Sequence, residues 1–197
     1  IKAEKLFPGD LAQLKARFDF IKRTYETKSL RKKVDLLMSG DRAATAELVA
    51  QVDEELAKQI AETDGILEFL LACNRPTVLA QGGFDRLSDI AKMSYESYSG
   101  VQPYLMPQEA HTLSIPKGSL TEAERLEIES HVTHTYRFLS TIPWTKTLKN
   151  IPEIAYGHHE KLDGTGYPRH VPGTVIPVQT RIMTISDIYD ALTASDR

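Results

Sequence analysis

A long apolar stripe near the start is the feature that most constrains how this chain can fold. Leu11, Leu14, Phe18, Ile21 and Tyr25 recur at alternating steps of three and four, which keeps one face of an α-helix apolar. The spacing predicts a helix from Asp10 to about Met38, with Asp10, after Pro8-Gly9, as N-cap. Ser39-Gly40 breaks it, and Asp41 can cap a second helix from about Arg42 to Asn74, ended by Pro76. Val49, Val52, Leu56, Ile60, Ile66, Phe69 and Leu70 give that helix its own stripe. Two long helices joined by a short turn predict an antiparallel hairpin. The a/d spacing holds for only about two heptads, short for a coiled coil. Packing within the chain accounts for it, and a dimerising or signal-relaying stalk is the alternative.

Residues 77–118 are punctuated by Gly82-Gly83, Gly100, Pro103, Pro107 and Pro116-Lys117-Gly118, leaving room for one short helix between Phe84 and Tyr98. Thr121-Glu122-Ala123-Glu124 is a capping box. It predicts a helix to about Ser140 with Ile128, Val132, Thr135 and Leu139 inward. Pro152 suits the first turn of a further helix, expected to carry Ile154, Ala155, His158, His159 and Leu162 and to stop at Gly164. A last helix is expected from about Val178 to Ala194. Ile182, Met183, Ile185, Ile188, Ala191 and Leu192 make it apolar nearly all round, so burial is expected. No strand alternation stands out, and the fold class is read as all-α.

Composition excludes several function classes. A net charge of −3 gives no basic field for a nucleic acid polymer or an anionic membrane. Nothing approaches the roughly 20 apolar residues of a membrane helix, and no signal peptide opens the chain. One cysteine, Cys73, rules out an internal disulfide framework and suits a reducing cytoplasm. The sequence opens at Ile1 and stops inside a motif-like run at Arg197, and is read as a fragment of something longer.

The residues with chemistry are concentrated in the last eighty. His131 lies beside the inward stripe of the capped helix, and His158 and His159 are adjacent. Three imidazoles with carboxylates suit a first-row transition metal. A buried Asp187 would need such a cation nearby, whereas Asp190 reads as a brace between helices. His134 reads as packing or hydrogen bonding, and His111 and His170 as solvated loop residues. A bound metal acidifies water and neutralises charge on a phosphoryl oxygen.

The run His158-His159-Glu160-Lys161-Leu162-Asp163-Gly164-Thr165-Gly166-Tyr167-Pro168 resembles the HHExxDGxGYP signature of HD-GYP domains at every specified position. Arg181 to Thr193 resembles the family's second signature, and Leu120 to His131 the segment ahead of its middle histidine. The resemblance covers about residues 116–197. It implies a helical bundle descended from HD metallophosphohydrolases, and hydrolysis of cyclic di-GMP or a related cyclic dinucleotide. It implies one or two ions of iron or manganese, with His131, His158, His159 and Asp187 as ligands. Gly164, Gly166, Tyr167 and Pro168 would shape the substrate side, and Arg181 would contact phosphate.

One departure stands beside the match. No His-Asp dipeptide occurs anywhere in the chain. The nearest run to the family's Leu-His-Asp-Ile-Gly-Lys is Leu87-Ser88-Asp89-Ile90-Ala91-Lys92, with serine in place of histidine. Aligned so, Asp89 would bridge metals and Lys92 would contact phosphate, and an insertion around residues 94–115 is required. The domain reading is residues 1–78 as the hairpin and 79–197 as the hydrolase domain. Expected partners are a cyclic dinucleotide, a second copy through the N-terminal helices, and sensor or GGDEF-type signalling proteins. A degenerate module that binds nucleotide or protein without hydrolysis is the alternative.

Overall fold

The computed structural model of the chain describes residues 3–38, 42–76 and 82–194. The expected break at Ser39-Gly40 and the cap at Asp41 lie outside them. Contacts divide the chain after Leu120 into two compact units.

The first unit is built on helices α1 (Pro8–Met38) and α2 (Arg42–Cys73). Pro8 opens α1, so Asp10 lies in the first turn rather than at the N-cap; its charge there complements the helix dipole. Lys22 bonds Asp64 at 2.9 Å, and Lys33 bonds Asp53. Partners climb one helix as they descend the other, so the pair is antiparallel. Leu14, Phe18 and Ile21 are fully buried and share a core with Ile66, Leu70 and Cys73. Leu14, Phe18 and Ile21 of the a/d stripe are therefore part of the unit's own core.

Helix α3 (Gly83–Lys92) follows. The next residues hold two strands that the sequence reading did not anticipate, β1 (Ser94–Ser97) and β2 (Gly100–Pro103), paired antiparallel with Ser94 opposite Pro103. Each is four residues long, too short for alternation to stand out from noise. The turn needs Gly100 at φ 102°, a region costly for other residues. Tyr95 faces inward, and its ring meets Tyr104 edge-on at 5.8 Å, as Tyr104 meets Phe18. Helix α4 (Pro107–Leu113) carries Glu109, whose carboxylate takes both guanidinium arms of Arg17 at 2.6 and 3.1 Å. His111 lies on α4 rather than in a loop, and is exposed.

The second unit spans residues 121–194 of the described chain. Helix α5 (Glu122–Ser140) opens on the expected box: Glu124 N–H donates to Thr121 Oγ1 at 3.2 Å, and Thr121 N–H to Glu124 Oε2 at 2.8 Å. Of its expected inward stripe Val132 is fully buried, but Ile128 is 47% exposed. Helix α6 (Ile151–Tyr156) has Pro152 in its first turn. It ends well before the expected Gly164, so His158 and His159 lie in the turn after the helix. The chain tightens there, with Glu160 N–H bonded to the Gly157 carbonyl at 2.9 Å. A short 3-10 turn (Gly173–Val175) leads into α7 (Val178–Thr193).

Helix α7 departs most from expectation. Thr180 is its buried residue, while Ile182, Ile185, Ile188 and Leu192 are half or more exposed. Within the unit α7 meets α6 through Thr180 and the turn after α6 through Thr184, and these contacts leave most of the apolar surface that runs round the helix uncovered. Among the described residues no helix is long and apolar enough to cross a membrane.

Candidate metal centre

The second unit brings three imidazoles to one point. The ligand atoms of His131, on α5, and of His158 and His159, after α6, all lie within 4.8 Å of one another. His131 Nε2 is 3.5 Å from His158 Nε2 and 3.2 Å from His159 Nε2. The other nitrogens fix the tautomers. His131 Nδ1 is 2.6 Å from the Ile128 carbonyl, and His158 Nδ1 is 2.5 Å from that of Ala155. A carbonyl only accepts, so each Nδ1 carries the proton and each Nε2 turns a lone pair inward. The Nε2 lone pairs of His131 and His158 face each other at 3.5 Å, and a cation between them would relieve their repulsion. The donor set therefore fits a transition metal.

Electrostatics agree. The His159 imidazole is pushed down to about 4, first by burial and then by the neighbouring His158, against the pull of Asp187. It is neutral at physiological pH, the form a ligand must have. Tyr167 stacks on it at 4.7 Å, and burial pushes the Tyr167 phenol up to about 12, which leaves the hydroxyl protonated. Asp187, on α7, is exposed and acts on both groups through its charge.

The loop after the histidines is held by its own side chains and backbone. Asp163 Oδ1 accepts from Thr165 N and Oγ1 at 2.9 and 2.7 Å, and Gly164 has φ 77°. Tyr167 N–H donates to the His159 carbonyl at 3.2 Å. The Tyr167–Pro168 peptide is cis. Gly166 is buried, and a Cβ there would lie 2.3 Å from Lys161 N and 2.5 Å from Glu160 Cα. Gly166→Ala is expected to cost about 1–3 kcal/mol and to lower the midpoint of urea unfolding; an unchanged midpoint would show that the backbone relaxes freely.

Two contributors were missed from sequence. Glu160 is 4% exposed, and its carboxylate accepts from Arg169 N at 2.6 Å and Val171 N at 3.1 Å. Thr184 Oγ1 donates to the His158 carbonyl at 2.7 Å, tying α7 to the histidine turn. The signal for Glu160 was present: an acid between two imidazoles and a glycine-rich loop is placed to collect loop N–H groups. Of the other expected site residues, Arg181 directs Nε to the Ile176 carbonyl and Nη2 to that of Gly173. Asp89 and Lys92 lie exposed on α3 of the first unit and pair with each other at 3.3 Å. His170 is exposed in its loop at φ 53°.

With this geometry in place, likeness to known proteins is informative. The profile of the HD domain family matches residues 97–197. The chain belongs to the HD domain family. The matched HD segment contains the three imidazoles and the loop, and begins after Asp89 and Lys92. A 77-residue stretch is 48% identical to 3'3'-cGAMP-specific phosphodiesterase 3 of Vibrio cholerae, covering 39% of this chain and 16% of that protein. A stretch of 82 residues is 39% identical to a cyclic di-GMP phosphodiesterase of the same organism, covering 38% and 16%. One of 75 residues is 37% identical to a cyclic di-GMP phosphodiesterase of Thermotoga maritima, covering 38% and 20%. The aligned part is thus at most a fifth of each of these relatives. No solved structure matches the chain significantly.

Proposed function

We propose that this chain carries a metal-dependent phosphodiesterase domain that hydrolyses a cyclic dinucleotide, cyclic di-GMP or 3'3'-cGAMP. The observation that carries the reading is the convergence of three imidazole Nε2 atoms, two of them on rings whose Nδ1 is spent on a backbone carbonyl. The relatives' names support the substrate class. His131, His158 and His159 would hold iron or manganese, one or two ions, with Asp187 as a further ligand. A metal bound there acidifies water and neutralises charge on a phosphoryl oxygen.

The protein's own groups do the rest. The Ile128 and Ala155 carbonyls hold two rings in their binding tautomer. Tyr167, protonated and stacked on His159, offers a hydroxyl to the substrate side, where Gly164, Gly166 and Pro168 keep the loop close to the turn. Arg181 would reach phosphate only by leaving the carbonyls it now bonds. Residues 1–78 would dimerise or relay a signal from a sensor or GGDEF-type partner.

The test is product formation from cyclic di-GMP and from 3'3'-cGAMP by anaerobically purified protein loaded with iron or with manganese. Metal content is measured on the same sample. Turnover that scales with bound metal supports the reading. Bound metal and bound nucleotide without turnover would replace it with a binding module.

A further inference from the structure

The two long helices are oppositely charged. Between Lys22 and Met38, α1 carries six basic residues against Glu26 and Asp35; between Ala46 and Cys73, α2 carries seven acidic residues against Lys58. The internal pairs Lys22–Asp64 and Lys33–Asp53 use only part of that charge.

The hairpin also has two distinct sides. A cavity of about 660 Å³ lined by Lys28, Lys32 and Asp35 of α1 and Gln51, Glu55 and Gln59 of α2 marks one of them. At about 100° per residue, Leu30, Val34 and Leu37 lie on the other side of α1. They are 61%, 56% and 67% exposed, large apolar groups at helical spacing. The same rotation puts Ala46, Ala50, Ala57 and Ala61 on that side of α2, and all four are exposed. Leu30 and Leu37 are one heptad apart, as are Ala50 and Ala57. Large side chains on a basic helix thus sit beside small ones on an acidic helix.

We propose that this face docks on the same face of a second copy, about a two-fold axis running along the hairpin. The proposal rests on the reading of the hairpin as a dimerising stalk and names its surface and symmetry. Rotation about such an axis keeps each residue at its own height and places α1 of one copy against α2 of the other, antiparallel to it. The Lys33–Asp53 register sets Leu30 near the level of Ala57 and Leu37 near that of Ala50. Each leucine then fills the space above the partner's alanine, knob into hole. The same rotation brings basic α1 against the partner's acidic α2. An axis across the hairpin would instead stack α1 on α1, basic on basic and leucine on leucine, which like charge disfavours. The interface is isologous and closes at two copies.

The test uses the whole chain. Sedimentation equilibrium is expected to show a dimer that Leu30→Asp/Leu37→Asp converts to monomer, with helicity by circular dichroism unchanged. Arg31→Glu, on the rim, is expected to weaken the dimer at least tenfold, and adding Glu54→Arg to recover most of the loss. Leu30→Cys protein mixed with Ala57→Cys protein is expected to form a disulfide-linked heterodimer, in preference to either homodimer. A wild-type monomer at all concentrations overturns the stalk reading and the proposal together. A dimer that survives the aspartates, or that links Leu30→Cys to itself, overturns the face or the axis alone.

Discussion

His158→Ala is expected to strip the protein of metal and to lower cyclic dinucleotide hydrolysis by at least about 100-fold. His158 is the most buried of the three imidazoles, at 6% exposure. Its ring is fixed twice, by its own Nδ1 on the Ala155 carbonyl and by Thr184 on its main-chain carbonyl. Alanine leaves two Nε2 donors where there were three, and affinity for a transition metal depends on donor number. The fold should survive, because the residue lies in a turn whose backbone bond from Glu160 N–H to Gly157 O does not involve the ring. The readout is metal per chain by plasma emission, beside circular dichroism of the same sample. Unchanged stoichiometry would remove the imidazole cluster as the metal centre. Asp187→Ala, measured alongside, tests the fourth ligand: its carboxylate now acts on His159 through charge, and a ligand role requires that its loss also lower stoichiometry.

The parts of this fold that were legible in sequence are those with long periods or local rules. The stripe from Leu11 to Tyr25 and the Thr121 box each repeat or close within one helix, so nothing distant can override them. The β-hairpin at Ser94–Pro103 was not legible, since its strands owe their existence to Tyr95 and Tyr104 packing near Phe18, a contact far away in sequence. The burial expected for α7 failed because apolar composition says what a helix could cover, not how many neighbours it has. The site was legible as a set of residue types: His131, His158 and His159 were named and do converge. What could not be read was how they converge. Helical rotation would have splayed His158 from His159 by about 100°, and the early end of α6 replaces that geometry with a turn.

The same turn separates the metal centre from the loop beside it, and Glu160 is the residue on which that separation can be tested. Glu160→Ala removes two hydrogen bonds to a buried carboxylate and leaves the Arg169 and Val171 N–H groups without their acceptor. The expected loss of stability is about 2–4 kcal/mol, read as a lower urea midpoint of the full chain. Glu160→Gln keeps the volume and one carbonyl acceptor, so it should fall between alanine and wild type. Faster hydrogen exchange is expected at the Arg169 and Val171 amides in both variants. Metal stoichiometry should hold, because His131 and His158 take their orientation from Ile128 and Ala155 rather than from the loop. Activity should then fall through a raised KM, as Tyr167 loses its fixed place on the His159 ring. Metal loss in Glu160→Ala would instead join loop and cluster into one structural unit, with the carboxylate holding both.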